Sequence, residues 1–220
     1  MLWNSKMEFT TTMLTSTIII AVCAVLHLYG AYRDRKWLFY LFKPVTTLSI
    51  AALCWYLAPT INDYVWLILL GLLLSTLGDI FLMLPKDRFI PGLLSFLIAH
   101  VAYILAFSMH LELTYTWGLI VPLIIIAMVY LTLLWPSLAE MKVPVFVYMS
   151  IIVIMAWISG ERYFSVASQA SLYAFIGALV FLFSDATLAF DRFKKQFHSA
   201  YGVIIVSYYL AQYFIALSVI

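Results

Sequence analysis

The sequence predicts an all-α integral membrane protein of eight transmembrane helices, forming a single domain over residues 1–220. Three observations carry this expectation. Of the 220 residues, 66% are hydrophobic and 10% charged, against the about 45–50% apolar content usual in soluble domains; the mean hydropathy is +1.07. Apolar runs near the roughly 20 residues that cross a hydrocarbon core recur along the whole chain. The runs lack period-two alternation and are too long for barrel strands, which favours helices.

The elements follow in order. The first run, about 12–30, continues past Cys23 to Leu28 and is followed by the basic "YRDRK". With no small-residue cleavage site there, it reads as a helix and not a signal peptide. The second, about 45–59, opens after Lys43-Pro44 and closes on Trp55 and Tyr56; the third, 65–84, starts beside Tyr64 and Trp66 and contains Asp79. The fourth, 92–110, contains His100 and Tyr103. The fifth, 116–134, lies between Tyr115-Thr116-Trp117 and Trp135. The sixth, 145–159, follows Lys142 to Pro144 and ends near Trp157; the seventh, 169–189, contains Asp185; the eighth, 200–219, contains Tyr208, Tyr209 and Gln212. Trp and Tyr at span ends are the interfacial anchors expected of membrane helices.

Ten of the 12 basic residues fall after spans one, three, five and seven: Arg33, Arg35, Lys36, Lys43, Lys86, Arg88, Lys142, Arg192, Lys194 and Lys195. Lys6 and Arg162 are on the other side. The positive-inside rule makes those four loops cytoplasmic and sets both termini outside the cytoplasm, as in a bacterial inner-membrane protein. A net charge of +2, with its cations placed by topology, gives no support to nucleic-acid binding, and nothing in the pattern points to a protein partner. Cys23 and Cys54 fall inside spans without CxxC spacing, against a disulfide or zinc site. The longest loop is about 14 residues by this reading, so no separate soluble domain is expected.

An offset of 106 residues relates Asp79 to Asp185, Tyr103 to Tyr209 and Lys86 to Arg192, and "KP" and "KVP" segments open spans two and six. This weak repeat suggests two four-helix halves, parallel because four is even. Each Asp would then lie on the order of 8–9 Å below the same cytoplasmic surface at 1.5 Å per residue. An ionised carboxylate at membrane depth costs about 2.5–3.5 kcal/mol on insertion scales, so two at one depth point to a function.

Other polar residues gather around them. Phe96, His100, Tyr103 and Phe107 share one helical face by their spacing; taken alone, His100 reads as an interhelical hydrogen-bonding residue. Lys43 either snorkels, pairs with an Asp, or holds a lipid phosphate. Tyr209 and Gln212, with Tyr208, offer phenols and an amide on span eight, and an intramembrane Gln requires a partner. His27 reads as interfacial. His110 and His198 sit at opposite ends, so no three-histidine metal set converges. Ser75, one turn before Asp79, is the one serine suited to a Ser-His-Asp arrangement, and no GxSxG occurs.

"LFKPVTT", "GDIFLMLP" with the segment Phe89 through Phe107, and "FSDATLAF" resemble the YhhN family of membrane lysoplasmalogenases, over nearly the whole chain. The resemblance implies eight spans and hydrolysis of the vinyl ether bond of a lysophospholipid in the bilayer, giving a fatty aldehyde and a glycerophospho-headgroup. It places the polar set on Lys43, Asp79, His100, Tyr103 and Asp185. A vinyl ether hydrolyses when an acid protonates its outer alkene carbon and water captures the oxocarbenium ion. Two carboxyl groups, one protonated and one ionised, suit that chemistry, which calls for no cofactor. The catalytic expectation is therefore Asp79, Asp185 and His100, with Lys43, Tyr103, Tyr209 and Gln212 binding substrate and no metal. The alternatives are a proton-coupled transporter, with the same groups forming a relay, and a lipid-binding membrane protein without turnover.

Overall fold

The computed structural model describes the backbone of residues 2–220 and the side chains from Thr10 onward; the side chain of Lys6, expected opposite the basic loops, lies outside the described residues. Among the described residues, eight helices are long and apolar enough to cross a membrane. They are α1 (Leu2–Tyr32), α2 (Lys36–Leu57), α3 (Asp63–Met83), α4 (Phe89–Ser108), α5 (Trp117–Leu134), α6 (Lys142–Val166), α7 (Gln169–Phe193) and α8 (Ala200–Leu217), with two short 3₁₀ turns over 135–141. Among the described residues there is no strand.

All eight expected spans fall on these helices, but three are much longer than hydropathy alone indicates: α1 starts at Leu2, ten residues before position 12, and α2 and α6 are extended as well. Helix α2 starts nine residues before position 45, at Lys36, so Lys43 and Pro44 lie inside it. Helix α6 runs on through Glu161 and Arg162. The apolar pattern stops at charges, whereas a helix continues through them when the bundle supplies partners. Lys43 and Glu161 are both buried and both have partners. The expected 14-residue first loop accordingly shrinks to the turn between Tyr32 and Lys36. Local signals set other ends: the Asn62 side chain accepts from Val65 N at 3.0 Å to cap α3, and Ser168 and Ser171 form a capping box on α7.

Short connections make consecutive helices antiparallel, so the turns α1–α2, α3–α4, α5–α6 and α7–α8 share one end of the bundle. That end carries Arg33, Arg35, Lys36, Lys86, Arg88, Lys142, Arg192, Lys194 and Lys195, and is termed the basic end.

Packing closes a ring in the order α2, α3, α4, α6, α7, α8, with α1 applied to α2 and α5 to α6. Adding four to each helix number maps α4 on α6 into α8 on α2, so the contacts that join the halves repeat like those within them. Helix starts also repeat: Lys36 and Lys142 are 106 residues apart, as are Asp63 and Gln169. The equivalent of Lys142 is therefore Lys36, and the expected match of the "KP" and "KVP" segments is replaced by this one. Close approach of α3 to α4 depends on two glycines. A Cβ on Gly71 would lie 2.2 Å from the Tyr103 ring, and one on Gly78 2.6 Å from the Phe96 ring. The second contact lets Phe96 pack over α3 beside Asp79.

Candidate active site

The two intramembrane acids occupy different surroundings. Asp79, on α3, is 1% exposed. Its Oδ1 lies 3.5 Å from Lys43 Nζ, and its Oδ2 accepts from Thr47 Oγ1 at 2.8 Å and Tyr208 OH at 2.7 Å. Helix α2 presents Lys43 and Thr47 one turn apart on the same face, and α8 supplies the phenol. One cation and two hydroxyl donors therefore face this buried carboxyl group.

Asp185, on α7, accepts from Tyr148 OH of α6 at 2.5 Å and faces a cavity of about 330 Å³ between α4, α5, α6 and α7. Leu123, Ile126, Met149, Ile152, Leu179 and Phe183 are typical of its lining, and among the described residues Asp185 is the one carboxyl there. Helix α5 forms one wall while packing chiefly on α6; Tyr130 OH ties it to Ala186 O of α7. Thus one acid is enclosed by polar partners and the other opens onto apolar space.

Between them stands an aromatic wall. The Tyr208 ring contacts Phe96 and Phe181 with centroids 5.7 and 5.6 Å apart; His100 contacts Phe181 at 4.6 Å and Tyr148 at 5.3 Å. His100 is fully buried, and neither ring nitrogen has a hydrogen-bond partner among the described residues. Among the described residues the two carboxyl groups share no hydrogen-bond partner. Measured along their helices they are also not equally placed, since Asp79 precedes the end of α3 by about 6 Å and Asp185 the end of α7 by about 12 Å at 1.5 Å per residue. The last turn of α7 carries Arg192, whose Nη2 meets Asp87 of the α3–α4 connection at 2.5 Å.

The remaining expected residues form a third set. Tyr103 OH donates to Gln212 Oε1 at 2.7 Å, a partner for its carbonyl, while the buried Gln212 Nε2 has none among the described residues. Tyr209 OH lies 2.7 Å from His27 Nδ1, and Tyr201 OH 2.9 Å from His27 Nε2, so His27 is an interior connector between α1 and α8 and not an interfacial residue. Tyr103, Tyr209 and Gln212 do not line the cavity; they hold α4, α8 and α1 around the Asp79 cluster. Sequence reasoning missed Thr47 and Tyr148 as partners of the acids. Thr47 carried a signal in its one-turn spacing from Lys43; Tyr148 carried none beyond being a phenol within a span.

At the end opposite the basic loops, Glu161 accepts from Thr114 Oγ1, Thr116 N, Thr116 Oγ1 and Trp157 Nε1 at 2.6–3.2 Å. Arg162 donates to Phe107 O and Met109 O. Both charges fasten the α4–α5 connection to α6. Cys23 and Cys54 are free thiols, and no group of three or more His, Cys, Asp or Glu residues suited to a metal ion occurs among the described residues.

A sequence model described as the YhhN family matches residues 38–219. The chain belongs to the YhhN family. A Shigella flexneri protein named "Uncharacterized membrane protein YhhN" is 28% identical over 206 residues, covering 94% of this chain and 99% of the relative. The human "Lysoplasmalogenase TMEM86B" is 31% identical over 204 residues, 92% of this chain and 84% of the relative. The Bos taurus "Lysoplasmalogenase TMEM86A" is 34% identical over 158 residues, 70% of this chain and 65% of the relative. No solved structure matches. Family membership covers α2 to α8 and thus every polar residue of the two acid clusters.

Proposed function

We propose that this YhhN family member is a membrane lysoplasmalogenase, hydrolysing the vinyl ether bond of a lysoplasmalogen within the bilayer to a fatty aldehyde and a glycerophospho-headgroup. The observation that carries the reading is a carboxyl group, Asp185, facing an otherwise apolar interhelical cavity of about 330 Å³. Such a cavity accepts an alkenyl chain, and the carboxyl supplies the acid that a vinyl ether needs. The names of the relatives favour the same activity.

The two acids divide the work. Asp185, bound by one phenol and open to the cavity, delivers a proton to the outer alkene carbon, leaving an oxocarbenium ion at the carbon bonded to the ether oxygen. Asp79, ionised against Lys43 behind the aromatic wall, is the negative partner that stabilises this cation through space, and Asp185, left as a carboxylate by the proton transfer, serves as base when water adds to it. The hemiacetal then collapses: its hydroxyl proton is lost, the carbon–ether-oxygen bond breaks, and the glycerol oxygen leaves with a proton. His100, against Tyr148 and without a hydrogen-bond partner among the described residues, assists proton movement between the clusters. The basic end faces the cytoplasm, with both termini on the other side, in a bacterial inner membrane.

The test follows where the atoms of water go. In heavy water one deuteron should enter the carbon next to the aldehyde carbonyl, read after rapid trapping by reduction. In ¹⁸O-water the freed glycerol hydroxyl should remain unlabelled. Label in that hydroxyl would mean cleavage on its glycerol side and would remove the acid role of Asp185. Asp185→Asn and Asp79→Asn should each lower turnover by about 10²-fold or more. A variant keeping over about a tenth of wild-type turnover is not an essential acid or base.

A further inference from the structure

The cavity extends toward the basic end, where Phe89, Ala189 and Phe193 line it. At that mouth the Arg192 guanidinium lies over the Phe89 ring, 4.7 Å from its centroid, and Phe89 meets Phe193 with centroids 5.7 Å apart. Arg192 is held by Asp87, its Nη2 2.5 Å from Oδ2, and this guanidinium keeps the Asp87 carboxyl below the usual carboxylate range. Both side chains remain exposed, at 43% and 66%. Lys86, Arg88, Lys194 and Lys195 flank the pair in sequence, so the chain around the mouth carries five cations against Asp87 and Asp191.

We propose that Arg192 is the phosphate anchor of the substrate site and that Asp87 occupies its guanidinium until the phosphodiester of the lysolipid replaces it. The inference rests on the lysoplasmalogenase reading for the position of the reacting bond. Arg192 follows Asp185 by seven residues, two turns, so both project from nearly the same face of α7, about 10 Å apart along the axis. In a lysophospholipid six covalent bonds separate the vinyl ether carbon from phosphorus, on the order of 8 Å at ordinary bond lengths. An ether carbon at Asp185 therefore places the phosphate within reach of the Arg192 side chain. A guanidinium binds phosphate through two parallel N–H donors, and an exposed carboxylate is readily exchanged because surface ion pairs contribute little. Lys43, the cation first considered for this role, is buried against Asp79.

The test uses ligands without the reactive alkene. Binding of 1-O-alkyl-lysophosphoethanolamine and of 1-O-alkylglycerol to the purified full-length protein in detergent is measured by intrinsic tryptophan fluorescence. The wild type should bind the phospholipid about tenfold or more tightly than the glycerol ether. Arg192→Ala should erase that ratio by weakening the phospholipid alone, Arg192→Lys should retain part of it, and Asp87→Asn should tighten the phospholipid. An unchanged ratio in Arg192→Ala, or equal weakening of both ligands, overturns the proposal. Inorganic phosphate at the same concentrations should not compete; competition equal to that of the lysolipid would assign the site to free phosphate and overturn the lipid anchor. Aldehyde release from lysoplasmalogen is assayed separately. Absent turnover with an Arg192-dependent ratio defeats the lysoplasmalogenase reading alone, whereas normal turnover with an Arg192-independent ratio defeats the anchor alone.

Discussion

Replacing Lys43 by Met removes an ammonium of similar length from a site 5% exposed and leaves Asp79 with only the Thr47 and Tyr208 hydroxyls. The ion pair spans 3.5 Å, for which Coulomb's law at an effective dielectric of about 20 gives about 5 kcal/mol of attraction. Desolvation of two ions offsets much of this, yet removing one member of a buried pair still costs about 3–5 kcal/mol, because the other is left uncompensated. Lys43→Met and Asp79→Asn should therefore each destabilise by about that amount. The double variant buries two neutral groups and should recover at least about 2 kcal/mol of the summed loss. Reversible unfolding of the four proteins in one detergent or bicelle system measures the coupling. Additivity within about 0.5 kcal/mol would show that Lys43 and Asp79 do not act as a pair. If Lys43→Met then weakened phospholipid binding instead, Lys43 would take the anchoring role assigned above to Arg192.

Three further outcomes follow from single contacts. Gly71→Ala should lower the melting temperature: helix propensity favours it by up to about 1 kcal/mol, but overpacking against the fully buried Tyr103 ring costs about 1–3 kcal/mol, and Gln212 holds that ring in place. A stabilised variant would show that α3 and α4 can separate without penalty. Tyr148→Phe should reduce kcat about tenfold or more with little change in KM, since it removes a hydrogen bond to a charged or proton-bearing group; unchanged kcat would free Asp185 from dependence on this phenol. A cysteine at Asn62 should react with an impermeant maleimide on intact cells and one at Lys194 only after permeabilisation, and the reverse pattern would invert the proposed orientation.

Much of the fold could be read from hydropathy because each helix has the length and apolar composition to cross a membrane and few charges interrupt it. The errors lie where charges do interrupt: at Lys43 in α2 and at Glu161 and Arg162 in α6. A sliding apolar pattern scores each as an end, while Asp79, Thr114, Thr116 and two backbone carbonyls make each an interior group. Asp79 and Asp185 stood out by cost alone, since an acid in a span is rarely incidental. Their separation into two clusters was not legible, because it depends on which face of α7 meets α6 and on the aromatic rings of Phe96, Phe181 and Tyr208, whose sequence pattern is that of ordinary core. The cavity was equally hidden: its lining is apolar, and apolar residues read the same whether they face lipid, protein or a chain-binding space.

The repeat explains how two acids on one scaffold acquire different surroundings. Under the offset of 106 that relates the starts of α2 and α6, the Asp79 partners Lys43 and Thr47 correspond to Met149 and Val153, and both of these line the cavity beside Asp185. The third partner, Tyr208, corresponds to Ala102 on α4. Every donor that surrounds Asp79 is thus apolar at the matching position around Asp185, and a different donor, Tyr148, serves the second acid from α6. The same packing of a third helix against a second therefore produces a closed ion pair in one half and a carboxyl facing apolar space in the other. An ionised stabiliser requires the first arrangement, because an uncompensated charge in the bilayer is costly. A proton donor requires the second, because it must touch its substrate. Exchanging these environments is a more searching perturbation than deleting either acid: Met149→Lys would supply Asp185 with a cation from the position that Lys43 occupies in the first half. It should retain the fold, since the new charge has a partner, and should lose turnover, since the proton donor would be held as a carboxylate. Retained activity in a folded Met149→Lys protein, with Asp185 still essential, would contradict the division of roles between the halves.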